Sequence, residues 1–198
     1  MQKRQKRASE KQTRLVQAGA ELFRSRGYDG TSLTDVAKAA GVPPGGVFYH
    51  FRTKADLADA VMQQHHRHFS GQLQQIETAT PNPRKRLRLF WEGAEKLAAD
   101  RAALGCPVLA LAGDMAADPA RPEAAQEHRK LVMAHTLGWL AAQYRALGLG
   151  AAQADTAAAG LFATMQGAFA VGHVMNDADI IRRIFSDKRQ EQEKAGFL

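Results

Sequence analysis

The chain has 198 residues, 45% of them apolar, and a formal net charge of +7 from 27 Lys plus Arg against 20 Asp plus Glu. That length and composition can bury a real core, as one large domain or two small ones. A single cysteine, Cys106, excludes an internal disulfide framework and fits a reducing cytoplasm, and no stretch approaches the roughly 18 apolar residues of a membrane span.

The charge is unevenly spread. Residues 1–68 hold 12 basic and 6 acidic groups, a net of +6, while residues 69–198 hold 15 and 14, a net of +1. Nearly all the excess therefore lies on the first third, where a polyanion would be met. The opening MQKRQKRASEKQ is basic but leads into no apolar run, so it does not read as a secretory leader. Residues 1–8 read as a basic tail.

A first helix is predicted from about Ser9 or Glu10 to Ser25, with Leu15, Val16, Ala20, Leu22 and Phe23 as its apolar positions. The loop Gly27-Tyr28-Asp29-Gly30 turns the chain into the stretch Thr31 to Phe51, which reads as a helix-turn-helix. Ser32 and Asp35 form a capping box, and Leu33, Val36, Ala37 and Ala40 make one apolar face. Gly41 sits where the helix must stop, and Val42 follows as an apolar plug. Pro44 suits the first position of the next helix, whose Val47, Phe48 and Phe51 are spaced to pack across the first.

A second capping box, Thr53 to Asp56, opens a helix expected to reach about Ile76 and to link two domains. A helix beginning at Asn82-Pro83 carries Leu87, Phe90, Trp91, Ala94 and Leu97 in one stripe. A shorter helix follows Gly105-Cys106-Pro107, and Asp118-Pro119 and Arg121-Pro122 bracket a loop. Long helices are expected over Glu123–Leu147 and from Ala152 to about Val174, and a last one from Asp177 to about Lys194. The expected fold is all-α with about nine helices: a three-helix head, residues 1–53, joined to a helical effector-binding and dimerisation domain, residues 54–198. Small residues at Ala159, Gly160, Ala163, Gly167 and Ala170 would allow close approach of a second copy.

Phe23, Gly27, Thr31, Val36-Ala37, Ala40-Gly41-Val42, Gly45, Tyr49-His50-Phe51, Lys54 and Leu57 together resemble the TetR/AcrR family of bacterial transcriptional regulators over residues 12–62. The resemblance implies a homodimeric cytoplasmic repressor on palindromic operator DNA. The last two long helices would pair with their mates, and a small organic effector would change the spacing of the heads. Three departures stand out. Pro43 replaces the Ser or Thr that caps the recognition helix in many members, Gly46 replaces a small polar side chain, and Phe48 stands where a tyrosine is frequent, with Tyr49 directly after it.

On this reading Tyr49, His50 and Lys54 meet phosphate oxygens, and Thr34 touches backbone or a base edge. Thr31 and Ser32 belong to the same DNA-facing set. Pro44, Gly45 and Gly46 permit close approach to the major groove and offer apolar contact to a thymine methyl. No Arg, Asn or Gln lies between Gly41 and Phe51, so direct readout is expected to be thin, with DNA shape carrying more.

The effector set is His65, Phe69, Phe90, Trp91, Cys106, Leu111, Met115, Trp139, Met165, Phe169 and His173, in helices that surround the family's cavity. Aromatic and methionine stripes at this spacing also read as plain core. Cys106, ahead of a helix, is an alternative sensor of electrophiles or oxidants through its thiol. No cofactor is implied. His65, His66 and His68 have no acidic or cysteine partner nearby, and no metal site is expected. An enzyme is disfavoured because glycine-rich phosphate loops and persuasive carboxylate pairs are missing. A structural adaptor would have no reason to concentrate charge on the head, while an activator, or a regulator with a protein effector, stays open.

Overall fold

The computed structural model describes residues 2–117 and 123–198, with the side chains of 2–5, 7, 117 and 123–129 left aside. Among them lie ten helices and no strand: α1 Gln2–Arg26, α2 Leu33–Ala39, α3 Pro44–His50, α4 Lys54–Ala79, α5 Pro83–Glu95, α6 Ala98–Leu104, α7 Pro107–Ala117, α8 Glu123–Ala146, α9 Ala151–Met175 and α10 Ala178–Lys194. The loop expected around Asp118-Pro119 and Arg121-Pro122 lies outside the described residues.

Two boundaries differ from expectation. Helix α1 begins at Gln2, not near Ser9. The basic stretch contains Lys, Arg, Gln and Ala and no Gly or Pro, so nothing in it stops a helix from running on. The helix expected to continue from Pro83 through the Leu97 region is two helices, which brings the number to ten. At the break the Leu97 N–H bonds the Ala94 carbonyl three residues back at 3.1 Å, and α6 restarts with Arg101 N–H on Leu97 O at 2.8 Å. The buried stripe accordingly runs Leu87, Trp91, Ala94, Ala98, with Leu97 only half-buried.

The chain packs as two compact units, Met1–Arg67 with Pro107–Leu131, and His68–Cys106 with Val132–Leu198. In the first, α2 packs on α1 and α3, and α7 also packs on α1. Leu15, Val36, Val47, Leu57 and Val61 are sealed in its core.

In the second, α9 lies against α6 and α10. Trp91 stacks on Phe185 at 4.3 Å between ring centres, and Phe169 flanks Phe185 at 5.6 Å. The Trp91 indole N–H donates to the Phe185 carbonyl at 3.1 Å, so its one polar atom is satisfied inside the core. Asn176 takes a left-handed backbone, φ 49°, between α9 and α10. There a Cβ on Gly172 would stand 2.3 Å from Ile181 Cγ1, so the close crossing of these helices requires glycine.

Helix α9 is long and apolar enough to cross a membrane by length and composition, contrary to the expectation that no stretch qualifies. Its apolar residues occupy two faces. Leu161, Met165 and Phe169 are buried, whereas Ala159, Gly160, Ala163, Gly167, Ala170 and Val174 are exposed, Val174 at 84%.

Candidate nucleic-acid interface

The head is held by local chemistry that its residues dictate. Ser32 Oγ accepts from the Asp35 N–H at 3.1 Å, and the Asp35 carboxylate accepts from the Ser32 N–H at 3.0 Å. The Ser32 hydroxyl and N–H hold the Asp35 carboxyl below its ordinary range. At the other end of α2, Gly41 has φ +62°. Its N–H bonds Lys38 O at 3.2 Å, and Val42 N–H bonds Ala37 O at 2.9 Å, the paired bonds of a Schellman stop. Val42 is buried there. Helix α3 opens on Pro43 with no side-chain cap and with Pro44 inside its first turn. Lys54 begins α4 behind a second box, Asp56 N–H on Thr53 Oγ1 at 3.1 Å and Thr53 N–H on Asp56 Oδ2 at 2.9 Å.

Thr34, Pro44, Gly45 and Tyr49 are exposed, Tyr49 at 82%. Its ring meets the half-buried His50 edge-on at 5.1 Å. Burial, with Lys11 adding repulsion, lowers the His50 pKa from its ordinary 6.5, so the free imidazole is neutral at pH 7. Gly45 has open space where a side chain would project, whereas a Cβ on Gly46 would come within 2.9 Å of Val42 Cγ1. Gly46 thus accommodates the plug of the preceding turn.

Three residues behave differently from the sequence reading. Thr31 is 2% exposed, and its hydroxyl donates to Gly27 O at 2.9 Å, so it holds the loop before α2 and has no surface to offer a phosphate. Ser32 is exposed, but its hydroxyl proton goes to the Asp35 carboxylate at 2.5 Å, leaving no donor for a phosphate oxygen. Phe48 does not pack with Val47 and Phe51 but is 52% exposed beside Tyr49. A seven-residue helix buries one face, and Val47 and Phe51, four apart, already occupy it.

Lys54 stands apart from a free surface lysine. Its ammonium donates to Tyr28 O at 2.9 Å and lies 4.2 Å from the Tyr28 ring centre. Tyr28 is buried against Phe23, and its N–H donates to Asp114 Oδ2 at 3.1 Å. Sequence reasoning assigned nothing to Tyr28 or Asp114. The glycines flanking Tyr28 were the available signal for the loop, but Asp114 is 86 residues away and no local pattern points to it.

The effector set divides between the units. His65, Leu111 and Met115 belong to the first; Phe69, Phe90, Trp91, Cys106, Trp139, Met165, Phe169 and His173 belong to the second. Leu111, Met115, Trp91, Trp139, Met165 and Phe169 are buried. Trp139 contacts Phe90 at 5.8 Å and donates its N–H to Glu77 Oε1 at 3.0 Å. His173 caps the end of α6: its Nδ1 is 3.0 Å from Ala102 O, which calls for the proton on that nitrogen. Gly105 ends α6 at φ +68°, with the His173 ring 3.1 Å from where its Cβ would be. His65, Phe69, Phe90 and Cys106 are half-buried, and Cys106 is a free thiol immediately before α7.

A family model described as bacterial regulatory proteins, tetR family, matches residues 15–61. The chain is 35% identical over 107 residues to the transcriptional regulator AcuR of Cereibacter sphaeroides, covering 53% of this chain and 49% of that one. It is 32% identical over 84 residues to the transcriptional repressor KstR2 of Mycolicibacterium smegmatis, covering 42% and 41%. The chain thus spans about half the length, or less, of these curated relatives. A solved regulatory protein TetR from Rhodobacter sphaeroides superposes with a TM-score of 0.73 at 27% identity, over 88% of this chain and 95% of that one. A TetR-family regulator from Agrobacterium tumefaciens shares the fold with a TM-score of 0.79 at 22% identity, over 93% and 98%. The capped helix-turn-helix at the head thus matches the tetR family model, and the helical array behind it shares the fold of solved TetR-family regulators.

Proposed function

We propose that this protein is a cytoplasmic homodimeric repressor that binds palindromic operator DNA and releases it when a small organic effector enters its helical body. The observation that carries the reading is the exposed, uncharged face of α3, with Pro44, Gly45, Phe48 and Tyr49 in the open, on the third of the chain that holds a net charge of +6. Basic groups supply affinity for any duplex, and the α3 face supplies fit to the major groove. Tyr49, His50 and Lys54 act on phosphates, and Thr34 on backbone or a base edge. The relatives named as transcriptional regulators and repressors support the same role.

The exposed small-residue face of α9 supports a two-fold dimer, since open positions such as Gly160 and Gly167 let a second helix approach closely. Two recognition helices about 34–36 Å apart would enter successive major grooves. An effector works only through its differential affinity for DNA-fitting and non-fitting dimers. His65, Phe69, Phe90, Cys106 and His173 are the members of the effector set that are not buried, so a ligand meets them without first repacking buried side chains.

The test is operator binding by wild type, Tyr49→Ala and Lys54→Ala at several salt concentrations. Tyr49→Ala weakens operator binding. Lys54→Ala weakens binding to every sequence and flattens the salt dependence by about 0.9 per head. Equal binding by all three proteins would overturn these roles. Titrating wild type and Cys106→Ser with an electrophile separates thiol modification from ligand entry, because only the former needs the sulfur.

A further inference from the structure

Helix α7, which packs on α1, also reaches the loop before α2 through a carboxylate. Asp114 Oδ2 accepts the Tyr28 N–H at 3.1 Å, just after Gly27, whose φ of +75° turns the chain there. On the other side of the same residue, the Tyr28 carbonyl accepts from the Lys54 ammonium at 2.9 Å, and the Tyr28 ring lies under that ammonium at 4.2 Å. One residue is thus gripped at its N–H by α7 and at its carbonyl and ring by the first residue of α4. All of these groups belong to the same compact unit.

We infer that Asp114 is a positioning residue for Lys54, and that α7 thereby sets the head's grip on the DNA backbone. The inference rests on the DNA-binding reading above. Lys54 has four rotatable bonds, and an ammonium that must meet a phosphate gains from being held in one place beforehand. Tyr28 provides the holder, and Asp114 keeps Tyr28 where it is. Leu111 and Met115, both buried, flank Asp114 on α7, so a ligand that displaced them would carry the carboxylate with them and loosen the lysine. The coupling is a two-ended hydrogen-bonded clamp on one residue and needs no change in the recognition helix.

Simple electrostatics predicts the opposite sign, which makes the inference testable. Removing an acidic group from a DNA-binding protein strengthens its attraction to DNA. Removing a positioning residue weakens it. Binding of a mixed-sequence duplex is measured between about 50 and 200 mM salt for wild type, Asp114→Ala, Asp114→Asn, Lys54→Ala and the Asp114→Ala/Lys54→Ala pair, each checked for native helicity. Asp114→Ala is expected to bind more weakly than wild type, with a salt slope lower by about 0.9 per head, equivalent to a roughly 3.5-fold smaller loss across that range for each head. Lys54→Ala adds nothing in that background, whereas Asp114→Asn, which keeps the acceptor without the charge, binds at least as well as wild type. Tighter binding by Asp114→Ala, an unchanged slope, or full additivity with Lys54→Ala overturns the inference while leaving DNA binding intact. A wild type with no salt-dependent DNA binding overturns the DNA-binding reading itself, and this inference with it.

Discussion

Gly172→Ala tests whether the α9–α10 crossing is set by one missing methyl. Carbon atoms in contact prefer about 3.5–4.0 Å, but a Cβ at residue 172 would stand 2.3 Å from Ile181 Cγ1 and 2.6 Å from Ile181 Cδ1. The overlap exceeds 1 Å, and Ile181 is completely buried, so it has nowhere to turn. The Asp177 carbonyl oxygen, 3.1 Å from the same point, also blocks adjustment. Overpacking of this kind costs about 1–3 kcal/mol, and the depth of this clash puts it in the upper half of that range. Alanine returns about 1 kcal/mol through its better helix propensity. The net loss is then about 1–2 kcal/mol, a fall in Tm of roughly 2–8 °C for a chain of this size. Urea unfolding at one fixed protein concentration measures it, since the proposed dimer would make stability concentration-dependent. Ile181→Ala alone costs about 2–5 kcal/mol through its cavity. In the double variant the new methyl fills part of that cavity, so the losses fall short of additivity by about 1–3 kcal/mol. A Gly172→Ala protein as stable as wild type, or strictly additive losses, would refute the reasoning.

If Phe48 covers a thymine methyl, replacing the contacted thymine with uracil weakens wild-type binding about fourfold per half-site, from ~0.8 kcal/mol per buried methyl. Phe48→Ala removes that difference, and equal wild-type affinity for both duplexes excludes the contact. Phosphate favours the imidazolium form of His50, so wild-type DNA affinity rises as pH falls from about 8 to 6, while His50→Gln stays flat. The free fold loses stability over the same fall, because its lowered His50 pKa leaves the unfolded chain to bind the proton first. A wild type whose DNA affinity ignores pH would argue against the phosphate contact. Gly167→Glu projects into open space on a single chain, so it leaves the helical content unchanged. In a dimer built on α9 it sets two like charges face to face, and sedimentation should show monomers; an intact dimer would move the interface elsewhere.

Much of the head was legible in the sequence because its instructions are local. The Ser32–Asp35 and Thr53–Asp56 boxes, the Gly41 stop and Pro44 inside α3 each act within a few residues, and all appear as the spacing implied. The uneven charge and the exposed small residues on one face of α9 were equally readable. What the sequence left open is what distant residues do to one another. The choice of Phe48 to face outward depends on Val47 and Phe51 filling the one face that α3 can bury. Thr31 is withdrawn from the surface by carbonyls of α1 and the loop after it, and His173 is used to cap α6, a helix that periodicity had merged with α5. The Asp114–Tyr28–Lys54 contacts join points 86 and 26 residues apart. Capping, stops and amphipathic stripes are short-range free energies written into neighbouring residues. Burial, and the pairing of polar groups it demands, are decided only when separate helices close on one another.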